Sequence, residues 1–490
     1  MKTKNTSKKF LPKRAFSLLF FLMLISSMIF SQEKPQQIKG IAESDYTNDW
    51  YKKQMGLWQK EVQKDQNNAE AWYNYFRATR YANINHKESK EVKNLLKRLV
   101  DDMGKHVPDS YQYLYLSYFI DNKNSDFSLL ERSFELSGRT FMDAVVDLLI
   151  HYELNDNASK KKELCLRILQ DQYYLPGVLD YNYNLLMSCE KAGILFNYGD
   201  METFPSWALQ NGKNIGADLS LINLSLIKEN LAYFELKLKN KGINIASLKL
   251  PDINDKSFIS SFCKAMANKY PQIPIYFSIG LPKEYYQNFS EKLYLTGLAY
   301  KYSENRLDNE LLLKDNVESR FVLDFLKTND WNEQLPGYVK RMNTNYLTAF
   351  IKLVEYYYNN NKVDNLERIN KYRELAYKIA ADISEETRRD LEAYFEKMGL
   401  SPTSISTNIK NKSPYFVYPN PTKDILCIKL NDNSKLRDVI IYDIQGKRQA
   451  INNTNFKENN EINISHLASG QYIVVLNVDG KVFSEHIIVQ

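Results

Sequence analysis

The stretch from Tyr418 to Gln490 restricts the fold most strongly, because apolar and polar residues alternate there in short runs separated by turn residues. A period of two is the pattern of a half-buried β-strand. The predicted strands lie at 426–430, 439–444, 462–464, 472–478 and 482–489. Asp479-Gly480, between the last two runs, predicts a tight hairpin turn. Several short strands at this spacing predict a small antiparallel β-sandwich.

This stretch resembles the type A C-terminal sorting domain of proteins exported by the type IX secretion system. The resemblance rests on motifs that follow one another in the expected order: Tyr418-Pro419-Asn420-Pro421, Ile441-Tyr442-Asp443 with Gly446-Lys447, Leu467-Ala468-Ser469-Gly470-Gln471-Tyr472, Gly480, and the closing Ile487-Ile488-Val489. His486 stands where the family would have a lysine. The resemblance implies a domain at 414–490 that the outer-membrane export machinery recognises and that is usually cleaved off afterwards. The residues alone also fit an ordinary β-sandwich binding module.

The N-terminus has the pattern of a Sec signal peptide. Six lysines and arginines precede the apolar run Ala15–Phe30, and no acidic residue occurs before Glu33. We expect residues 1–31 to be removed after Ser31. A membrane anchor is the alternative, although the run is shorter than the ~20 residues that a spanning helix needs. No later stretch has that length, so we expect no transmembrane helix in the mature chain and a route through the periplasm to the exterior or the outer cell surface.

Composition argues against several classes of function. The net charge of +6 is slight for 490 residues and lies partly in the first 14, so nucleic acid is not an expected partner. The five histidines and the four cysteines lack metal-ligand spacing, and we predict no metal and no cofactor. Cys165 and Cys189 could form a disulfide in an oxidising periplasm, or all four cysteines could be free thiols.

Residues 32–192 predict an array of helical hairpins that is loosely of the tetratricopeptide kind. The heptad-like spacing of Ala71, Tyr75 and Ala78 marks the buried face of one helix, and further helices follow as far as Gly193. Aromatic stripes on these helices are interpreted as core. Residues 303–400 predict further helical hairpins, and the polar stretch 401–413 predicts a linker where cleavage would release the cargo.

The pattern changes between residues 193 and 302. Runs at 194–198, 219–224 and 275–279 read as strands that alternate with helices, which predicts a small parallel sheet. Gly199–Thr203 is predicted to be a loop, followed by a helix from Phe204 that Thr203 caps. Ligands gather beyond the carboxyl ends of such strands, so Asp200, Glu202 and Thr203 are candidate ligand-binding residues. The two carboxylates could bind a cation or hydroxyl groups, or act as acid and base. Helix capping and complementarity to the helix dipole also explain the two carboxylates, and we favour this structural explanation.

The middle of the chain has a second resemblance. The matching runs are Gly199–Pro205, Leu221–Leu226, Pro274–Phe277, Leu295–Tyr300 and Asn345-Tyr346. They look like the soluble C-terminal part of multi-spanning membrane proteins of the O-mannosyltransferase-like kind, over roughly 192–380. The resemblance implies a related fold. Glycosyl transfer would be expected of the membrane part, so no catalytic residue is carried over.

Together these patterns predict a multidomain protein with an α-helical array, a small α/β segment and a C-terminal β-sandwich. No Ser-His-Asp order, HExxH, P-loop or GxGxxG motif indicates a reaction class, and no catalytic residue can be assigned. We therefore favour an exported binding or scaffold module with a peptide or glycan ligand and with the type IX secretion machinery as partner. The alternative is a carbohydrate-active enzyme, or a partner of glycan-export machinery, with a site near Asp200 and Glu202.

Overall fold

The computed structural model describes residues 33–40, 46–83, 89–121, 126–327, 337–400, 415–420, 422–430, 435–443, 447–450 and 460–489. The predicted signal peptide and the predicted linker lie outside these residues. The chain forms two compact units, of which the first ends at Ala144 and the second continues to the C-terminus.

The first unit is helical, and local capping explains where its helices begin. Side-chain oxygens of Thr47, Ser89, Ser110 and Asp126 each accept a hydrogen bond from a backbone N–H in the first turn. Neighbouring helices pack as hairpins around a core that contains Trp72, with the α1–α2 and α4–α5 pairs in closest contact. The helices are α1 (Asn48–Lys64), α2 (Ala69–Asn83), α3 (Lys90–His106), α4 (Tyr111–Ile120) and α5 (Phe127–Leu136), and the unit boundary falls within α6 (Met142–Leu154).

A five-stranded sheet lies in the second unit. Its strands are β1 (Ile194–Asn197), β2 (Ser220–Asn223), β3 (Ile275–Ser278), β4 (Leu293–Leu295) and β5 (Ala299–Tyr302), in the order β2-β1-β3-β5-β4. β1 runs parallel to both β2 and β3, which confirms the predicted parallel segment. β4 and β5 add an antiparallel pair that the sequence analysis did not identify.

Helices connect the parallel strands and cover the sheet. α7 (Ala158–Gln170) and α8 (Pro176–Met187) pack against α9 (Asp200–Lys213), the crossover from β1 to β2. α10 (Leu224–Glu229), α11 (Leu231–Lys239) and α12 (Phe258–Lys269) lead from β2 to β3, and apolar side chains of all three share a core with Phe196 and Phe277. β2 and β3 lie on opposite sides of β1, so one connection leads to one side of β1 and the next leads to the other side. The space between β1 and β3 is therefore a topological switch point of the sheet. Ligands bind at such switch points in many α/β proteins.

Helix α9 begins four residues earlier than predicted. Gly199 is its N-cap with φ +78°, so Asp200, Glu202 and Thr203 belong to the helix and Thr203 is not a cap. The prediction was wrong because Pro205 suggested a helix start nearby. A proline within a helix leaves the carbonyl four residues earlier without its N–H donor. Here the Asn182 side-chain amide on α8 donates to that carbonyl, Met201 O, at 2.8 Å, and the helix continues.

Further helices follow the sheet. They are α13 (Glu310–Ser319), α14 (Asp324–Lys327), α15 (Gly337–Thr344), α16 (Tyr346–Asn359), α17 (Leu366–Ile383) and α18 (Glu385–Lys397). α16 and α17 form the predicted hairpin, with Phe350 and Tyr372 fully buried between them. Cys165, Cys189 and Cys263 are buried free thiols and Cys427 is a half-buried one, so the structure contains no Cys165–Cys189 disulfide.

The C-terminal stretch folds as the predicted antiparallel β-sandwich. Its strands are β6 (Tyr415–Tyr418), β7 (Ile425–Leu430), β8 (Leu436–Asp443), β9 (Arg448–Gln449), β10 (Glu461–Asn463), β11 (Gly470–Val478) and β12 (Lys481–Val489). One sheet has the order β10-β7-β6 and the other β12-β11-β8-β9. The buried residues between the sheets, including Leu426, Ile441 and Val474, come from this stretch alone and form a hydrophobic core of their own.

Candidate functional site

Each parallel strand ends in a buried polar residue. Asn197 ends β1, Asn223 ends β2 and Ser278 ends β3. All three side chains are less than a tenth exposed. Since parallel strands share one carboxyl edge, this edge of the sheet carries a polar cluster inside the protein, where each donor and acceptor needs a partner.

Thr203 binds two of the strand ends to α9. The side-chain amides of Asn197 and Asn223 donate to Thr203 Oγ1 at 3.0 and 2.8 Å. The Thr203 hydroxyl in turn donates to the carbonyl oxygen of Gly199 at 2.8 Å. The hydroxyl therefore uses its donor and both lone pairs within the fold, and this arrangement leaves it no capacity for a ligand.

Glu202 is the buried acid of the cluster, with 6% of its surface exposed. Its Oε1 accepts hydrogen bonds from the Tyr181 hydroxyl at 3.0 Å and from the Ser278 hydroxyl at 2.7 Å. Its Oε2 is buried and has no hydrogen-bond partner among the described residues. Burial raises the pKa of Glu202 to about 7, although the hydrogen bonds from Ser278 and Tyr181 oppose the shift.

A second layer of contacts holds the partners of Glu202. The Asn345 side-chain amide donates to the Tyr181 hydroxyl oxygen at 2.7 Å, and the Gly280 N–H donates to Ser278 Oγ at 3.1 Å. A Cβ added at Gly280 would lie 2.3 Å from Glu202 Oε1, so only glycine allows the β3 end to approach the carboxylate this closely. Tyr181, Ser278, Gly280 and Asn345 were not predicted as site residues from the sequence. Of these, only the strand-end position of Ser278 was a usable signal.

Asp200 does not join this cluster. It is the first residue of α9, and its side chain is exposed whereas that of Glu202 is buried. The structure thus places the two predicted carboxylates in different environments, which does not favour a paired acid and base. Among the described residues there is also no group of three or more His, Cys, Asp or Glu side chains that could hold a metal ion.

Aromatic rings lie on the surface next to the end of β1. The Tyr198 ring is 40% exposed and lies 5.8 Å from the Tyr285 ring. Lys228 Nζ lies 4.6 Å from the centre of the Tyr285 ring, as in a cation–π contact. The Tyr285 ring is half-buried, and the exposed Tyr198 ring is the one that can stack against a sugar or a peptide side chain.

The first sorting motif closes one edge of the sandwich. The N–H of Ile488 on β12 donates to Asn420 Oδ1 at 2.8 Å, and Thr422 N–H donates to the Ile488 carbonyl oxygen at 2.8 Å. Tyr418 is 49% exposed, and the Tyr418–Pro419 peptide bond is cis. Pro421 lies outside the described residues.

The remaining motif residues stabilise turns. Asp443 accepts the Lys447 N–H at Oδ1 and the Gln449 side-chain amide at Oδ2, each at 2.9 Å, and so holds the β8–β9 hairpin. Gly480 has φ +86° in the β11–β12 turn, a backbone conformation that glycine adopts without strain. Near the start of β11 at Gly470, the Tyr472 hydroxyl donates to the Ala468 carbonyl oxygen at 2.9 Å. Gly446 lies outside the described residues.

Two family models match parts of the chain. Residues 416–490 match the model described as "Secretion system C-terminal sorting domain", which confirms the resemblance predicted from the motifs. This domain points to a secreted or cell-surface protein that interacts with the type IX secretion machinery.

Residues 178–248 match the model described as "TMEM260-associated domain 2", in agreement with the resemblance predicted for the middle region. This match includes Tyr181, Glu202 and Thr203. No curated protein matches the chain. None of the helices in the described part of the chain has both the length and the apolar character required to cross a bilayer.

Proposed function

We propose that this chain is a two-step export substrate whose passenger is a binding or scaffold module. A signal peptide at 1–31 would carry it into the periplasm, and the sorting domain at 414–490 would then direct the passenger to the exterior or the cell surface. The observation that carries the proposal is the C-terminal β-sandwich, which has its own hydrophobic core and coincides with the sorting-domain match.

The proposed passenger comprises a helical region at 32–192, an α/β segment at 193–302 and helical hairpins at 303–400, joined to the sorting domain by the linker 401–413. Paired helices offer extended surfaces for binding, as in α-solenoid proteins. The exposed Tyr198 ring beside the half-buried Tyr285 ring supports a peptide or glycan as the ligand of the α/β segment.

The test is deletion of residues 401–490 in a host with a type IX secretion system. We expect the truncated passenger to accumulate in the periplasm, while the full-length chain reaches the medium or the cell surface. A full-length Glu235→Gln variant, altered at an exposed passenger position, is the matched control and should be exported normally. Export of the truncated passenger would refute the proposal. Sequencing both ends of the exported protein would test processing after Ser31 and within 401–413.

A second candidate function is a carbohydrate-active enzyme with Glu202 as a proton donor. The observation in its favour is a buried glutamate that holds its proton near neutral pH beside two hydroxyl groups, as general acids require. Because both Glu202 oxygens are buried, this function requires a ligand-bound state in which Oε2 becomes accessible. Hydrolysis or transfer of a glycan by the purified mature chain, lost in Glu202→Gln, would support it. A sugar that raises the melting temperature without turnover would favour the binding module.

A further inference from the structure

Two buried oxygen atoms at the carboxyl edge of the parallel strands have no hydrogen-bond partner among the described residues. They are Oε2 of Glu202 and Oδ1 of Asn197. The Glu202 residue is almost fully buried and Asn197 is fully buried. Buried polar atoms nearly always have a partner, so each exception in a folded protein calls for an explanation.

Glu202 and Asn197 belong to one ring of contacts. The Asn197 amide donates to Thr203, which follows Glu202 on α9, and Glu202 accepts a hydrogen bond from Ser278. The parallel register of β1 with β3 places Asn197 and Ser278 side by side at the strand ends. Each of the two residues is therefore bonded to a neighbour of the other, and the two unpartnered oxygens lie in the same part of the cluster.

Hydrogen bonds from outside this ring fix where the Glu202 proton lies. The Asn345 amide donates to the Tyr181 hydroxyl oxygen, and the Gly280 N–H donates to Ser278 Oγ. Each hydroxyl group directs its own proton to Glu202 Oε1. Both lone pairs of Oε1 are then used as acceptors, so a proton on this carboxyl group is carried by Oε2. The neutral side chain thus presents Oε2–H as a donor.

The neutral form of Glu202 is populated near neutral pH, since burial raises the pKa of this carboxyl to about 7. The titratable group that faces it is the Tyr181 hydroxyl on α8. Burial raises the pKa of Tyr181 well above its usual value, so this hydroxyl keeps its proton. Ser278 on β3 and Asn345 before α16 do not titrate, and Asp200 on α9 has an exposed side chain outside the cluster.

The orientation of the Asn197 amide is fixed as well. Thr203 Oγ1 uses its proton on the Gly199 carbonyl oxygen and accepts from the amide groups of Asn197 and Asn223. If the Asn197 amide were reversed, its oxygen would face Thr203 Oγ1 and no proton would lie between them. The amide nitrogen therefore faces Thr203, and Oδ1 is an acceptor with no donor in the described part of the chain.

A donor and an acceptor in one place match a hydroxyl group, which accepts one hydrogen bond and donates another. An ammonium group only donates, and a carboxylate or phosphate group only accepts. Tyr198 follows Asn197 directly, and its exposed ring offers a flat face for stacking. A Cβ added at Gly199, the next residue, would have nothing within 4 Å, so the chain leaves open space beside this ring. Ligands often bind at a switch point such as this one.

We propose that the end of β1 binds a neutral sugar, in which one hydroxyl group accepts from Glu202 Oε2 and donates to Asn197 Oδ1 while the sugar ring stacks on Tyr198. Both oxygens are covered in the structure, so the sugar reaches them when the turns that follow β1 and β3 separate. The inference rests on the proposed function, in which the passenger binds a peptide or a glycan, and it selects the glycan.

The test is binding of the chain without residues 1–31 to an array of neutral, amino-sugar and acidic glycans, followed by titration with the neutral glycan that binds best. We expect neutral glycans to bind. At pH 8 only about a tenth of the Glu202 side chains would carry the proton, so we expect binding about tenfold weaker than at pH 6.

The Glu202→Gln variant separates the protonated carboxyl from the ionised one. The glutamine amide nitrogen donates in the place of Oε2–H, so binding should persist at pH 6 and lose its pH dependence. Asn197→Ala removes the acceptor and should weaken binding by about tenfold. The matched control is Asn211→Ala on α9, where the amide donates to the Trp207 carbonyl oxygen at 2.8 Å outside the cluster, and it should bind like the unchanged protein. If Asn197→Ala does not fold, the pH profile of Glu202→Gln decides.

Three results would overturn the inference. They are absence of binding to every neutral glycan, binding by the unchanged protein that does not depend on pH, and a preference for amino sugars that strengthens from pH 6 to pH 8 and is lost in Glu202→Gln. The last result would mean that a cation pairs with the ionised carboxylate. None of them affects the export proposal, because deletion of residues 401–490 tests it through the location of the passenger. Export of that truncated chain would refute the proposed function and leave the binding result unchanged.

Discussion

Replacing Glu202 with glutamine should change how the stability of the passenger depends on pH. The pKa of this carboxyl rises from 4.5 to about 7 because the group is buried. Between these two values the folded protein keeps the Glu202 proton, whereas the unfolded chain has lost it. The folded state then binds more protons than the unfolded state, so the contribution of Glu202 to the free energy of unfolding decreases as pH rises through this window.

The size of the effect follows from the shift. One pKa unit corresponds to about 1.4 kcal/mol, so a shift from 4.5 to about 7 corresponds to roughly 3 kcal/mol. Full stability from this group is present below pH 4.5 and is lost above about pH 7. The Glu202→Gln variant has no ionisable group at this position. The difference between its free energy of unfolding and that of the unchanged protein should therefore increase by roughly 3 kcal/mol between pH 4 and pH 8.

Hydrogen exchange of the mature chain measures this pH dependence at α9, the helix that contains Glu202, because peptides from α9 report the local free energy of opening. The matched control is Glu235→Gln on α11, where the side chain is exposed. The difference in the free energy of opening between this control and the unchanged protein should stay nearly constant over the same pH range. If Glu202→Gln also gave a constant difference, Glu202 would titrate normally in the folded protein, and the argument from its burial would be refuted.

Other predictions concern close packing and the sorting motifs. Gly280→Ala places a Cβ against Glu202 Oε1 and should lower the melting temperature, with a loss of about 1–3 kcal/mol. Gly56→Ala, on α1 with nothing within 4 Å of the new Cβ, should be neutral or stabilise by up to ~1 kcal/mol, and equal losses would contradict the packing argument. Asp443→Ala and Asn420→Ala should each weaken the sandwich by about 1–2 kcal/mol, which protease resistance would show; unchanged resistance would disprove the structural role of these motif residues.

Local sequence patterns predicted the elements whose partners are close along the chain. The alternation in 426–430 and the Asp479-Gly480 turn predicted the strands and the last hairpin of the sandwich. A strand period and a turn that needs positive φ are each fixed by a few neighbouring residues. The run at 472–478 is different. Because it is apolar at most positions, the sequence could identify the strand but not that Val474 and Leu476 are buried in the core while Ile473 and Val475 are half-buried on the other face.

Only the tertiary structure brings the residues of the polar cluster together. Ser278 lies 76 residues beyond Glu202, and Asn345 lies 164 residues beyond Tyr181, and no periodic pattern relates positions so far apart. The start of α9 was mispredicted because the donor that replaces the missing N–H of Pro205 comes from Asn182 on another helix. The sequence by itself therefore determined the β-sandwich and the helical elements, whose hydrogen bonds and periods are local. The burial, partners and protonation of Glu202 depended on how distant segments pack, because burial and hydrogen bonding are properties of the assembled fold.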